Sequence, residues 1–154
     1  MYKRQTQGHL KGNEILTRIS LLLKDKCRDT DVVARYGGEE FSIIMPETSA
    51  EEAMESVERL RMEIEAYPFE GAKKQPNQRL TISAGISIFP ENGQGVLPLI
   101  EHADIALYEA KHSGKNRCVL SRRKGLSILE GNSEKETEQG GAEQLSGTTI
   151  GSTR

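Results

Sequence analysis

Arg35-Tyr36-Gly37-Gly38-Glu39-Glu40-Phe41 is the stretch whose reading decides the fold. Before it lie Val32, Val33 and Ala34, and after it Phe41-Ser42-Ile43-Ile44-Met45, stopped by Pro46. β-Branched and aromatic residues on both sides of a Gly-Gly pair predict strands over 31–36 and 41–45 joined by a tight reversal. The reversal carries two adjacent carboxylates at its tip. Taken alone, such a tip is an ordinary hairpin with two solvated glutamates.

Outward from the hairpin the periods become helical. Upstream, Ile15, Ile19, Leu22 and Leu23 recur at helical spacing, with Lys24 and Lys26 at the end where cations suit the dipole, so 13–27 is predicted as a helix. Downstream, Thr48-Ser49-Ala50-Glu51 has capping-box spacing and opens a helix with Ala53, Val57, Leu60 and Ile64 on its buried stripe. A loop with Pro68, Gly71, Pro76 and Asn77 follows. Leu80, Ile82, Ala84, Ile86 and Ile88 alternate along a long strand ended by Pro90. Leu97 to Lys111 reads as a helix with Ile100, Ala103, Leu107 and Ala110 inward, closed by Gly114, and 117–120 as a last strand. The order α-β-β-α-β-α-β predicts an α+β fold, a mixed or antiparallel central sheet with helices packed on it.

Composition narrows the function. The chain has 154 residues, 35% hydrophobic and 29% charged, with a formal net charge of -2 and a mean hydropathy of -0.57. No excess of Lys and Arg marks a nucleic-acid surface, so any phosphate it binds should belong to a small ligand held by a few placed cations. Cys27 and Cys118 have no CxxC or His partner nearby and read as reduced, buried thiols. No apolar run reaches the ~18 residues of a membrane span. The segment reads as cytoplasmic, without membrane contact. From Ser121 onward Glu, Gln, Gly, Ser and Thr dominate, and a polar tail without stable order is expected over 122–154, with a short docking helix around Leu126–Leu129 as the alternative.

Four stretches in one order carry a family resemblance. Arg35 to Phe41 is similar to the RYGGEEF signature of the GGDEF domains of diguanylate cyclases. Gly8-His9-Leu10-Lys11-Gly12-Asn13 resembles their GHxxGD, Leu80 to Ser87 their TxSxGxA strand, and Tyr108-Glu109-Ala110-Lys111-His112-Ser113-Gly114-Lys115-Asn116-Arg117 their YxAKxxGRNR. The resemblance implies a palm-like nucleotidyl cyclase fold and the joining of two GTP molecules into cyclic di-GMP with release of two pyrophosphates. Such phosphoryl transfer depends on alignment and on neutralising the phosphate oxygens.

The resemblance also implies roles. Glu39 is a ligand to Mg2+, or Mn2+ in its place. Glu40 assists the metal or the attacking hydroxyl. Gly37 and Gly38 let the nucleotide approach the backbone. Lys111 and Lys115 hold terminal phosphates, Lys115 as a point charge where Arg is common. Asn13 stands where an Asp usually accepts from guanine, and it offers one acceptor and one NH2 instead. Leu16 is a base contact or, equally, a core leucine. Arg28-Asp29-Thr30-Asp31 fits the RxxD inhibition site, with Arg59 as a second contact to the product cyclic di-GMP. A homodimer is implied, one GTP in each half-site.

Residues 1–5 fit nothing in the family, and 6–121 read as a partial domain lacking its first helix and strand, the strand with DxD. The expected consequence is a sheet without its middle member and a chain unstable or inactive by itself. The alternative function is a degenerate domain that binds cyclic di-GMP or GTP without turnover.

Overall fold

The computed structural model describes the backbone of residues 3–69, 79–122 and 145–153, and side chains over 12–69 and 79–122. Its elements are α1 (Lys3–Lys26), β1 (Val32–Gly37), β2 (Glu40–Pro46), α2 (Ala50–Ala66), β3 (Thr81–Ile88), α3 (Val96–His112), β4 (Cys118–Leu120) and β5 (Leu145–Thr153). The five strands form one sheet in the order β1-β2-β5-β3-β4, antiparallel except for the β3–β4 pair.

Three layers result. Phe41, Ile43 and Met45 of β2 and Ile82, Ala84, Ile86 and Ile88 of β3 join Ile19 and Leu23 of α1 and Ala53, Val57, Leu60 and Ile64 of α2 in one buried core. The alternate residues of β3 face α3. A Cβ placed on Gly85 would lie 2.1 Å from the Ala103 carbonyl oxygen and 2.3 Å from the Leu107 nitrogen. Ser87 Oγ donates to the Leu99 carbonyl at 2.8 Å. Both faces of β3 are therefore buried, where the alternating pattern alone predicts only one.

Two boundaries shift. The first helix begins at Lys3 rather than near Asn13 and runs through Gly8 and Gly12; a glycine weakens a helix by about 1 kcal/mol without ending it. The α2 capping box uses Ser49 and Glu52, not Thr48 and Glu51. Glu52 N donates to Ser49 Oγ at 3.3 Å and Ser49 N to Glu52 Oε2 at 2.9 Å. Thr48 is buried, and its hydroxyl is committed to the Pro46 carbonyl at 2.9 Å.

The larger departure is β5. An unordered tail is expected over 122–154, yet Leu145–Thr153 pairs with β2 on one side and β3 on the other, with Ile150 opposite both Phe41 and Ala84. It lies where the missing middle strand was expected to leave a gap. Without it, β2 and β3 would each present an unpaired edge. The segment suits the place, because it holds no charge and four β-branched residues, Thr148, Thr149, Ile150 and Thr153. Residues 123–144, with the Leu126–Leu129 alternative, lie outside the described residues, as do 70–78 of the loop before β3.

Candidate functional site

The hairpin tip is built by backbone pairing. Gly37 stands opposite Glu40, with an irregularity in register between Arg35 and Gly37. Gly38 takes φ +48°, a left-handed conformation that favours glycine. Arg35 clips the turn by donating through Nε to the Gly38 carbonyl at 2.9 Å, and through Nη2 to the same oxygen. A Cβ on Gly37 or Gly38 would meet nothing within 4 Å. For Gly37 no backbone strain demands glycine either, so the fold itself leaves room for a side chain there.

The predicted site residues meet from two directions. Glu39 in the turn and Glu40 at the start of β2 are both half-buried, and α3 brings Lys111 from its last turn. Lys111 Nζ lies 3.4 Å from Glu40 Oε1. One further carboxylate, on α3, senses Glu40. Asp104 is held above the ordinary Asp range, mainly by desolvation and then by the negative charge of Glu40, with Lys111 opposing. Sequence reading missed Asp104, although it stands seven residues before Lys111 and hence two helical turns back on the same face. Asp104 also borders an open cavity of about 500 Å³ along α3, walled by Leu97, Ile100, Ile105 and Tyr108. Lys115 follows α3 in the left-handed region, exposed.

α1 carries Asn13 exposed, its carbonyl accepting from Thr17 Oγ1 at 2.8 Å. Leu16 is half-buried against the core, as a core leucine would be. The side chains of Gly8 to Lys11 lie outside the described residues.

A second cluster forms where α1 passes into β1. Asp31 Oδ2 accepts the Arg28 backbone N–H at 2.9 Å, and Asp31 N donates back to the Arg28 carbonyl at 3.0 Å. The other oxygen, Asp31 Oδ1, is buried and has no hydrogen-bond partner among the described residues. Arg28 itself is exposed. Cys27 ties the group to Arg59 of α2: burial pushes its thiol up to about 11, Asp31 adds to the rise, and Arg59 opposes it. Arg28 and Asp31 thus share one turn at the end of β1 opposite the hairpin tip, and Arg59 of α2 acts on the same neighbouring thiol.

Divalent-cation chemistry meets an incomplete donor set. Among the described residues no three Asp, Glu, His or Cys side chains converge to hold a metal, and β5, whose Gly151 stands opposite Glu40, contains no acidic residue. Glu39 and its neighbours could supply part of a coordination shell; phosphate oxygens or groups outside the described residues would have to complete it.

This arrangement of a Gly-Gly-Glu-Glu hairpin facing a basic helix end defines a class. The diguanylate cyclase, GGDEF domain family matches residues 3–117. The chain belongs to that family, and the match includes three of the five initial residues expected to fall outside it. Over 117 residues it is 38% identical to diguanylate cyclase A of Treponema denticola, an alignment covering 76% of this chain and 31% of that protein. The active GGEEF domain of a diguanylate cyclase from Vibrio cholerae has a TM-score of 0.66 at 31% identity, covering 74% of this chain and 70% of that one. The GGDEF domain of DgcB from Caulobacter crescentus, solved in complex with c-di-GMP, gives 0.67 at 27% identity, with 77% and 70% covered. The chain spans less than a third of the length of the curated relatives it matches. No described helix is long and apolar enough to cross a membrane.

Proposed function

We propose that this chain is the GTP-handling part of a diguanylate cyclase, in which two copies each bind one GTP and join them into cyclic di-GMP. The observation that carries the reading is the Lys111–Glu40 approach at 3.4 Å, which brings a phosphate-binding cation to the Gly-Gly-Glu-Glu tip. The 3′-hydroxyl of one GTP attacks the α-phosphorus of the other. The P–O bond to pyrophosphate breaks, the hydroxyl proton leaves, and the reciprocal step closes the ring with a second pyrophosphate. Gly37 and Gly38 let ribose and phosphate lie on the backbone, and open space above both supports that role. Lys111 turns from Glu40 to the terminal phosphates as they arrive, and Lys115 joins it. Glu40, released, is placed to accept the hydroxyl proton. Mg2+ would neutralise the phosphate oxygens, with Glu39 as its carboxylate from this chain.

The product is held at Arg28, Asp31 and Arg59, where it inhibits. Guanine edges carry donors, and Asp31 Oδ1 is a buried acceptor with none among the described residues; leaving such an acceptor unmade costs about 1–3 kcal/mol. Arg28 and Arg59 supply cations for the phosphates. Because this cluster is separate from the hairpin tip, inhibition here is coupling between two sites.

A second reading has its own support. The lack of a three-ligand cluster among the described residues, and Asn13 where the family resemblance implies an Asp on guanine, suit a domain that binds cyclic di-GMP or GTP without turnover. Incubating the chain with GTP and Mg2+, alone and with whatever its gene encodes upstream, separates the two. Accumulation of cyclic di-GMP with about two pyrophosphates for each, abolished by Glu39→Ala with cyclic di-GMP binding retained, supports the cyclase. Binding of the dinucleotide with no product in either form sinks it in favour of the receptor.

A further inference from the structure

Between α3 and β4 the backbone passes through three consecutive left-handed residues, Gly114 at φ +112°, Lys115 at +61° and Asn116 at +47°. Glycine takes such angles freely and asparagine more readily than most, whereas lysine is held there only where the surroundings over-determine it. A connection whose only task was to join α3 to β4 could relax by using glycine throughout.

The surroundings are three side chains of α2. Arg61 has only 12% of its side chain exposed. It donates through Nε and Nη2 to Glu58 Oε1 at 2.9 and 2.7 Å, and through Nη1 to Glu65 Oε2 at 2.7 Å. The same Nη1 donates to Asn116 Oδ1 at 2.6 Å, and Asn116 Nδ2 donates to Glu65 Oε1 at 3.1 Å. Both ends of the Asn116 amide are therefore engaged by one helix more than fifty residues away in sequence. Lys115 is fixed between: its N–H donates to the Ala110 carbonyl at 3.0 Å, and Arg117 Nε donates to its carbonyl at 3.1 Å. Its side chain is left exposed.

We propose that the Arg61–Glu65–Asn116 network positions Lys115 for the terminal phosphates of the nucleotide, so that Arg61, remote from the reacting atoms, sets phosphate affinity. The inference rests on the reading of Lys111 and Lys115 as the phosphate-holding cations. Lysine is a point charge on a flexible stem, without the rigid fork of arginine. Fixing its backbone is the means left to place it.

Two variants test this from opposite ends. Asn116→Gly keeps the left-handed backbone free of strain and removes the lock. Arg61→Lys leaves the loop sequence intact and keeps the charge, but cannot bridge Glu58, Glu65 and Asn116 together. Each should weaken a GTP analogue with an α,β-methylene bridge, and inorganic triphosphate, by about tenfold, the scale of one charge-assisted hydrogen bond lost. Binding of guanosine, which has no phosphate, should not change, and the Lys115 amide should exchange its hydrogen faster. Wild-type-like triphosphate affinity in both variants overturns the proposal, whatever the exchange shows. So does an equal loss of guanosine, which would report a collapsed site. Failure of the wild-type chain to bind either phosphate ligand is distinguishable, because it removes the underlying reading of Lys111 and Lys115 and this inference with it.

Discussion

Gly85 separates the requirements of the fold from those of the chemistry, and Gly85→Ala is the sharpest perturbation of the fold. Ordinary van der Waals contact begins near 3.4 Å, so a Cβ at 2.1 Å from the Ala103 oxygen and 2.3 Å from the Leu107 nitrogen is more than 1 Å too close to both. The opposing atoms are backbone in the middle of α3, so no side chain can swing aside. The helix as a whole must lift from β3, and the close packing of Ala103, Ala106, Leu107 and Ala110 on the sheet is lost with it. Overpacking of this kind costs about 3 kcal/mol or more when only backbone can yield. For a domain of this size that lowers the melting temperature by about 10 °C. Thermal and urea denaturation followed by circular dichroism measure both. The effect should reach the site too, because α3 carries Asp104 and Lys111 to Glu40, and triphosphate affinity should fall even well below the new midpoint. A variant melting within 2 °C of wild type, about the size of a negligible surface change, would refute the claim that α3 and β3 touch through this glycine.

The converse holds at the hairpin. Gly37→Ala meets open space and should change stability by less than about 0.5 kcal/mol while weakening GTP binding, read by denaturation and calorimetry on the same sample. The Glu58 and Glu65 carboxyls are held below the ordinary range, first by hydrogen bonds from Arg61. Depressed carboxylates contribute stability that is present above their unfolded pKa, near 4.5, and lost as pH falls through the lower folded values. Denaturation midpoints between pH 6 and 3 should therefore fall more steeply for wild type than for Arg61→Lys; parallel curves would contradict the coupling. Burial pushes the Cys118 thiol up to about 12 and the Cys27 thiol up to about 11. At pH 8 a thiolate-specific disulfide reagent should label neither cysteine until denaturant is added, and prompt labelling of the folded chain would contradict this. Removing residues 145–154 should expose the edges of β2 and β3, and light scattering should show aggregation that the intact chain lacks.

How far the sequence reveals this molecule depends on how far apart the cooperating residues lie. The α2 stripe of Ala53, Val57, Leu60 and Ile64 is read from period alone, because each member reports the same local geometry. The hairpin is equally local, and the YxAKxxGRNR resemblance brings Lys111 to the site before any coordinates do. Asp104 is visible only once the face of α3 that carries Lys111 is known to turn toward Glu40. Arg61 gives no signal at all, and Asn116 shows only as one member of the Tyr108–Arg117 resemblance, with nothing to say what it bonds. Arg61 reads as one more charge, i,i+3 from Glu58 and i,i+4 from Glu65, and its bond to Asn116 joins residues 55 apart.

β5 is the extreme of that dependence. Leu145–Thr153 has no sustained apolar period, and by composition it belongs with the polar residues around it. Its place is set by the demand of two other strands, since β2 and β3 are drawn to flanking positions by the cores they share with α1, α2 and α3, and each then requires a backbone partner on its inner edge. A strand chosen by hydrogen bonding rather than by side-chain pattern can be nearly any uncharged, β-branched stretch of sufficient length. The same indifference has a chemical consequence. A strand recruited for its backbone brings whatever side chains it has, and this one sets a glycine opposite Glu40 and no acid anywhere along its length. The backbone need that completes the sheet therefore adds no carboxylate to the hairpin tip from this strand.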